Sequence, residues 1–101
     1  MADTLKNLYT GTLTDSSADL YTVPALTKTI ITEVVLANKT AGAVSGSILI
    51  GTTNIVPAKS IPANDALVIK LYTVLEAAEV IKGLAGAATS IDCRISGVEV
   101  A

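Results

Sequence analysis

The groups in this chain that could carry out chemistry are few. It holds one thiol, Cys93, no histidine, and two closely spaced carboxylate pairs, Asp15 with Asp19 and Glu76 with Glu79. A nucleophilic triad needs a base beside the nucleophile, and without histidine only a lysine or a carboxylate could serve. Cys93 falls at an apolar position of an alternating segment, which reads as a small core residue rather than a reactive one. Acid–base work by two carboxyls needs a pocket that drives their pKa values apart. Both pairs sit in polar stretches, so they read as solvated or turn-capping groups. Asn64-Asp65 stands ahead of a strand and reads as a backbone-capping pair; no spaced set of oxygen ligands of the EF-hand kind accompanies it. Asn38-Lys39-Thr40 matches the glycosylation triplet, which carries little weight in a chain with no recognisable secretory signal. No histidine and one cysteine leave a transition-metal site without its usual ligands. Gly42, Gly46 and Gly51 match no phosphate-cradling pattern. The expectation is a protein with no catalytic residue, no cofactor and no metal, not an enzyme, whose work is done by its surfaces.

What must position those surfaces follows from the composition. Of 101 residues 50% are hydrophobic and 16% charged, with no Phe or Trp and three Tyr; the mean hydropathy is +0.60. The length suits one domain with one core. Apolar runs stop at about four residues, far short of the roughly 18 that a spanning helix needs, so no membrane partner is expected. Seven Lys and Arg against nine Asp and Glu give a net charge of −2. The basic residues are scattered singly, which argues against nucleic acid as a partner. A lone cysteine rules out an internal disulfide and fits synthesis in a reducing cytoplasm.

Helical periodicity is weak. Blocks rich in Thr, Val and Ile alternate with clusters of Gly, Pro, Asn, Asp and Ser, the pattern of an all-β sandwich or barrel. The expected fold is a single-domain antiparallel β-sandwich of jelly-roll-like kind over residues 1–101. Its eight expected strands are Leu8–Leu13, Leu20–Val23, Thr29–Ala37, Val44–Gly51, Thr53–Val56, Ala66–Leu71, Val80–Leu84 and Ile91–Val100. Pro24, Pro57 and Pro62 are expected in connections, where a missing N–H costs no ladder bond. Val74–Ala78 reads as a turn between strands, with a short helical turn as the alternative. In the last strand Ile91, Cys93 and Ile95 alternate with Asp92, Arg94 and Ser96, and the phase flips after Gly97. Such a flip marks a bulge or a strand crossing to a second sheet.

Several strands carry apolar residues on both faces. In Thr29–Ala37, counting by twos sets Ile30, Val34 and Leu36 against Ile31, Val35 and Ala37; Leu49 opposes Ile48 and Ile50; Val68 opposes Leu67 and Ile69. A two-sheet sandwich hides only one face of each sheet. The weaker set, Ile31, Val35, Leu49 and Val68, is therefore expected to lie outward as contact residues. Burying each such side chain is worth roughly 1.5–3 kcal/mol, and contiguous exposed apolar groups usually mark protein contacts. The competing reading is a barrel that takes up one set and leaves scattered exposed residues.

Three segments carry a family resemblance: "LYTVPALTKTIITEVVLANKT" (20–40), "VPAKSIPANDALVIKLYTVLEAAEVIKGLA" (56–85) and "IDCRISGVEV" (91–100). In order, they resemble small virion structural proteins of tailed bacteriophages. That pattern has a "LYTVPAG" start, a strand ending in "ANxT", a "PANDTLVL" strand entry, a "VLEAGDxI" turn and a closing "VxVxISGVEV" strand. The chain departs from it at Leu26, where a Gly is expected, and at Ala78-Glu79, where Gly-Asp is expected; both changes fall in loops. The resemblance implies a β-sandwich made in the bacterial host cytoplasm and built into the virion. Within that class it implies a capsid decoration (cement) protein, a homo-oligomer such as a trimer that binds the major capsid protein or another virion protein. Tail, baseplate and head-fibre components are the neighbouring reading. Residues 1–14, outside the resemblance, are expected to form an arm reaching a neighbour. A carbohydrate- or receptor-binding module is a reading of a different class, but sugar sites usually stack aromatic rings on the ligand, and Tyr9, Tyr21 and Tyr72 are the only ones here.

Overall fold

A computed structural model describes residues 3–101. Eight strands follow one another: β1 (Asp3–Thr12), β2 (Ala18–Thr22), β3 (Lys28–Asn38), β4 (Val44–Ile50), β5 (Thr53–Ile61), β6 (Ala66–Leu75), β7 (Val80–Ala85) and β8 (Ile91–Val100). Every expected strand is present, and among the described residues there is no helix. Val74–Ala78 runs from the end of β6 into a turn. The first sheet has the order β1-β8-β3-β6 and the second β2-β7-β4-β5, all neighbours antiparallel. Strand 1 pairs with 8, 2 with 7, 3 with 6 and 4 with 5, as when one long hairpin is rolled up. That is a jelly roll, two sheets joined by Greek-key crossings.

The core between the sheets is aliphatic. Ile31, Val34 and Leu36 of β3 and Ile91, Cys93 and Ile95 of β8 meet Ile48 of β4, Ile61 of β5 and Ile81 of β7. The alternation in β8 is the clearest case of sequence dictating geometry: Ile91, Cys93 and Ile95 are buried while Asp92 and Arg94 are exposed. Cys93 is a core residue, and burial pushes its thiol up to about 12.

In the first sheet, register departs from simple alternation within one narrow belt. Between Ile31 and Glu33 of β3 the partner on β8 advances only from Gly97 to Ser96, so Thr32 is an extra residue. In β1, Leu8 is extra between Asn7 and Tyr9, one residue farther along β8, between Ser96 and Ile95. In β6, Lys70 and Thr73 flank a further extra residue opposite Thr32, where Tyr72 takes a φ of 46°. A belt of bulges thus crosses the sheet at Gly97 and Ser96, and the Thr32 hydroxyl donates to the Ser96 carbonyl at 3.1 Å. Such bulges re-aim the side chains beyond them.

Three expectations are corrected here, the first two by this belt. Ile31 is not outward: it is 0% exposed, because the extra Thr32 moves Thr29 and Ile31 onto the face of Val34 and Leu36. Gly97 does not carry β8 to the other sheet, since β8 pairs with β1 and β3 along its whole length; the irregularity lies in its neighbours. Gly97 is glycine because a Cβ there would stand 2.4 Å from the Ile30 carbonyl oxygen. The segment expected as an arm runs as β1 at a sheet edge from Asp3 to Thr12, while Met1 and Ala2 lie outside the described residues. A fourth correction concerns Pro57, which sits inside β5 rather than in a connection. It is tolerated because β5 is an edge strand, and Ala58 beside it bulges with a φ of 37°. The Ala58 N–H donates to the Ser47 hydroxyl at 2.9 Å.

Candidate functional site

The residues singled out for chemistry remain apart. Glu79 accepts from the Glu76 N–H at 2.7 Å and Asp65 from the Ala66 N–H at 2.8 Å, both closing turns. Asp19 faces Lys82 at 3.5 Å on the surface. Among the described residues no three His, Cys, Asp or Glu side chains gather where they could hold a metal ion. Asn38 of the glycosylation triplet is buried. Its amide donates to the carbonyls of Gly42 (2.9 Å), Ile61 (3.0 Å) and Pro62 (3.2 Å) and accepts from the N–H and hydroxyl of Thr40 (2.9 and 2.7 Å). It ties the β3–β4 loop to the end of β5.

One polar cluster closes an end of the sandwich. Glu99 lies on the inner face of β8, accepts from the Tyr21 hydroxyl and takes Lys6 at 3.2 Å. The Tyr21 hydroxyl also meets Thr29 Oγ1 at 2.8 Å. The Tyr21 hydrogen bond, aided by Lys6, holds the Glu99 carboxyl below its ordinary range against some burial. Burial and the adjacent Glu99 push the Tyr21 phenol up to about 12. The Tyr21 hydroxyl is thus spent on Glu99 and Thr29, and its ring packs partly against the core.

The distinctive surface is the outer face of the first sheet. Leu5 of β1 is the register partner of Val98 of β8, Val98 of Ile30 of β3, and Ile30 of Val74 of β6. Four apolar side chains therefore form one row across all four strands. Directly opposed side chains sit about 4.5–5.5 Å apart. Leu5 is 85% exposed and Val74 53%, while Ile30 and Val98 in the middle are half-buried. Tyr72, 69% exposed, stands beside the row on β6. A second apolar pair, Val35 with Val68, lies beyond the bulge belt on the same face. At the end of the sandwich Leu26 is 94% exposed, next to a shallow cavity lined by Lys28, Glu76, Ala77 and Val100.

The four expected contact residues are thus divided. Val35 and Val68 are neighbours on this outer face, Leu49 lies on the outer face of the other sheet as the register partner of Lys82, and Ile31 is core. Leu5, Ile30, Val74 and Val98 were missed as a set. Only Val98 had a visible signal, the apolar phase after Gly97; Ile30 was counted inward because the bulge is silent in the sequence. Beside the row Lys28 bridges Glu76 at 3.6 Å, and Glu33 is the register partner of Lys70. Compared with protein-family models and with curated proteins, the chain finds no match.

Proposed function

We propose that this jelly roll is a structural assembly protein of a bacteriophage virion, a capsid decoration protein that works by binding other protein chains through the outer face of its first sheet. The observation that carries the binding role is the exposed row Leu5–Val98–Ile30–Val74, a continuous apolar band on a face that the fold itself leaves uncovered. Exposed apolar bands of this kind usually mark protein contacts. The virion setting rests on the sequence resemblance along residues 20–100, and the fold is one that capsid domains share with lectins and cupins. Assembly proteins need shape and apolar area rather than catalytic groups, which suits carboxylates spent on turns and a thiol spent on the core.

The test is co-sedimentation of the purified chain with empty phage heads, comparing Val74→Lys and Val68→Lys on the first sheet with Leu49→Lys on the second. The first two should lose binding with little change in thermal midpoint, and Leu49→Lys should retain it. Equal binding by all three, or no binding by the unaltered chain to heads or tails, would overturn the reading.

A further inference from the structure

The charges beside the apolar row are arranged in a way that selects its partner. On one side, in the next row, stand Asn7, Ser96, Glu33 and Lys70; on the other stand Asp3, Val100 and Lys28, with Glu76 bridged to Lys28 just past the end of β6. Across the sheet from β3 to β6, one side reads acid then base (Glu33, Lys70) and the other base then acid (Lys28, Glu76). Each flank is the electrostatic complement of the other.

We propose that the outer face of the first sheet mates with the same face of a second copy of this chain, through a two-fold axis lying along the row. This contact deepens the assembly reading above, on which it rests, by naming a second copy as one chain that the face takes and by fixing its register. A two-fold along the row brings Leu5, Val98, Ile30 and Val74 against their own counterparts and exchanges the flanks. Glu33 then faces Lys28 of the second copy and Lys70 faces its Glu76, each pairing made twice, as an isologous contact requires. Asn7 faces Asp3, an amide against a carboxylate. A two-fold parallel to the strands through the middle of the sheet would instead lay Lys70 over Asn7 and Glu33 over Ser96, with no charge pairing. One between β3 and β6 would pair the charges but leave β8 and β1 outside the contact. Covering the whole row and pairing the charges together selects the axis along the row. Strands of the two copies then run roughly aligned, the usual way for sheets to stack.

Three rows across four strands cover roughly 19 Å by 17 Å. That is small beside the about 800 Å² per partner of a standard interface, so the dimer forms and dissociates with concentration rather than being permanent.

Sedimentation of the full chain over a concentration series tests this. The unaltered chain should show a monomer–dimer equilibrium. Exchanging one flank, Glu33→Lys with Lys70→Glu, keeps those two neighbours opposite in sign within the chain but sets like charges against each other across the axis. It should raise the dimer Kd at least about tenfold. Adding Lys28→Glu and Glu76→Lys reverses the other flank and should restore dimerisation, which also shows that the doubly altered chain failed through charge and not folding. A dimer indifferent to the first exchange would overturn the two-fold contact and leave assembly through another surface. A monomer at every concentration would overturn it too, and head binding by that monomer would keep the assembly reading standing without self-contact.

Discussion

Replacing Gly97 by alanine probes the bulge belt at its tightest point. A Cβ on residue 97 would meet the Ile30 carbonyl oxygen at 2.4 Å, the Leu8 Cδ1 at 2.9 Å and the Ile30 carbonyl carbon at 3.3 Å. The Leu8 tip can swing aside, but the Ile30 carbonyl belongs to β3, which is clamped between β8 and β6. Opening the gap by the needed several tenths of an ångström strains packing by about 1–3 kcal/mol. It also weakens one or two ladder hydrogen bonds at about 1 kcal/mol each. The stiffer unfolded chain returns about 0.4–1 kcal/mol, so the expected net loss is roughly 1–4.5 kcal/mol, a large share of the about 5–15 kcal/mol that holds a domain together. Urea unfolding measures this directly, with Gly42→Ala as the control, since a Cβ at Gly42 meets nothing within 4 Å. A Gly97→Ala variant within about 0.5 kcal/mol of the unaltered chain would refute the close approach of β3 and β8, because ordinary surface changes fall in that range.

Leu26→Gly and Ala78→Gly should each stabilise the chain by about 0.5–1 kcal/mol in thermal or urea unfolding, because these residues hold φ values of 59° and 70°, a region that is costly for side-chain-bearing residues and free for glycine. Asn38→Ala should cost about 3–5 kcal/mol by the same measurement, since it removes five hydrogen bonds and leaves buried carbonyls unpaired. Stability should decline at both ends of the pH range. Glu99 titrates below its unfolded value, so its contribution is complete above about pH 4.3 and is lost as pH falls through the lower folded value. Tyr21 titrates above its unfolded value, so its contribution is complete below pH 10 and is lost as pH rises toward about 12. Tyr21→Phe should remove the alkaline decline attributable to this phenol and shrink the acid one, as followed by urea midpoints across pH.

Much of the fold was legible because strand formation here follows from alternation punctuated by turn residues. Ile91, Cys93 and Ile95 gave the inner face of β8 outright, and Ile48 against Leu49 gave that of β4. The contact surface was less legible, for a reason confined to a single residue. Counting by twos back from Leu36 and Val34 lands on Ile30, whereas the extra Thr32 makes Ile31 the buried one; with two adjacent isoleucines, neither sequence nor propensity decides between them. Gly97 marked the right height but on the wrong strand, because a glycine shows where something comes close and not what comes. Pro57 was put in a connection because nothing local distinguishes a loop from an edge strand that tolerates a missing donor. Leu26 and Ala78 stand where the virion-protein pattern that the chain resembles has glycine, and the structure gives both the backbone that glycine would take freely.

The pairing of β1 with β8 sets the timing of what this protein can do. Leu5 and Val98 are neighbours in the row but lie near opposite ends of the described chain, so during synthesis the first strand waits unpartnered until the last is made. Sheets closed by such distant pairings form slowly. The apolar row has no existence in any fragment: each strand of the first sheet lends it one side chain, and the two outermost in sequence come together last. An unfinished chain therefore cannot present the row, and the binding proposed for it is reserved for molecules that have completed their fold.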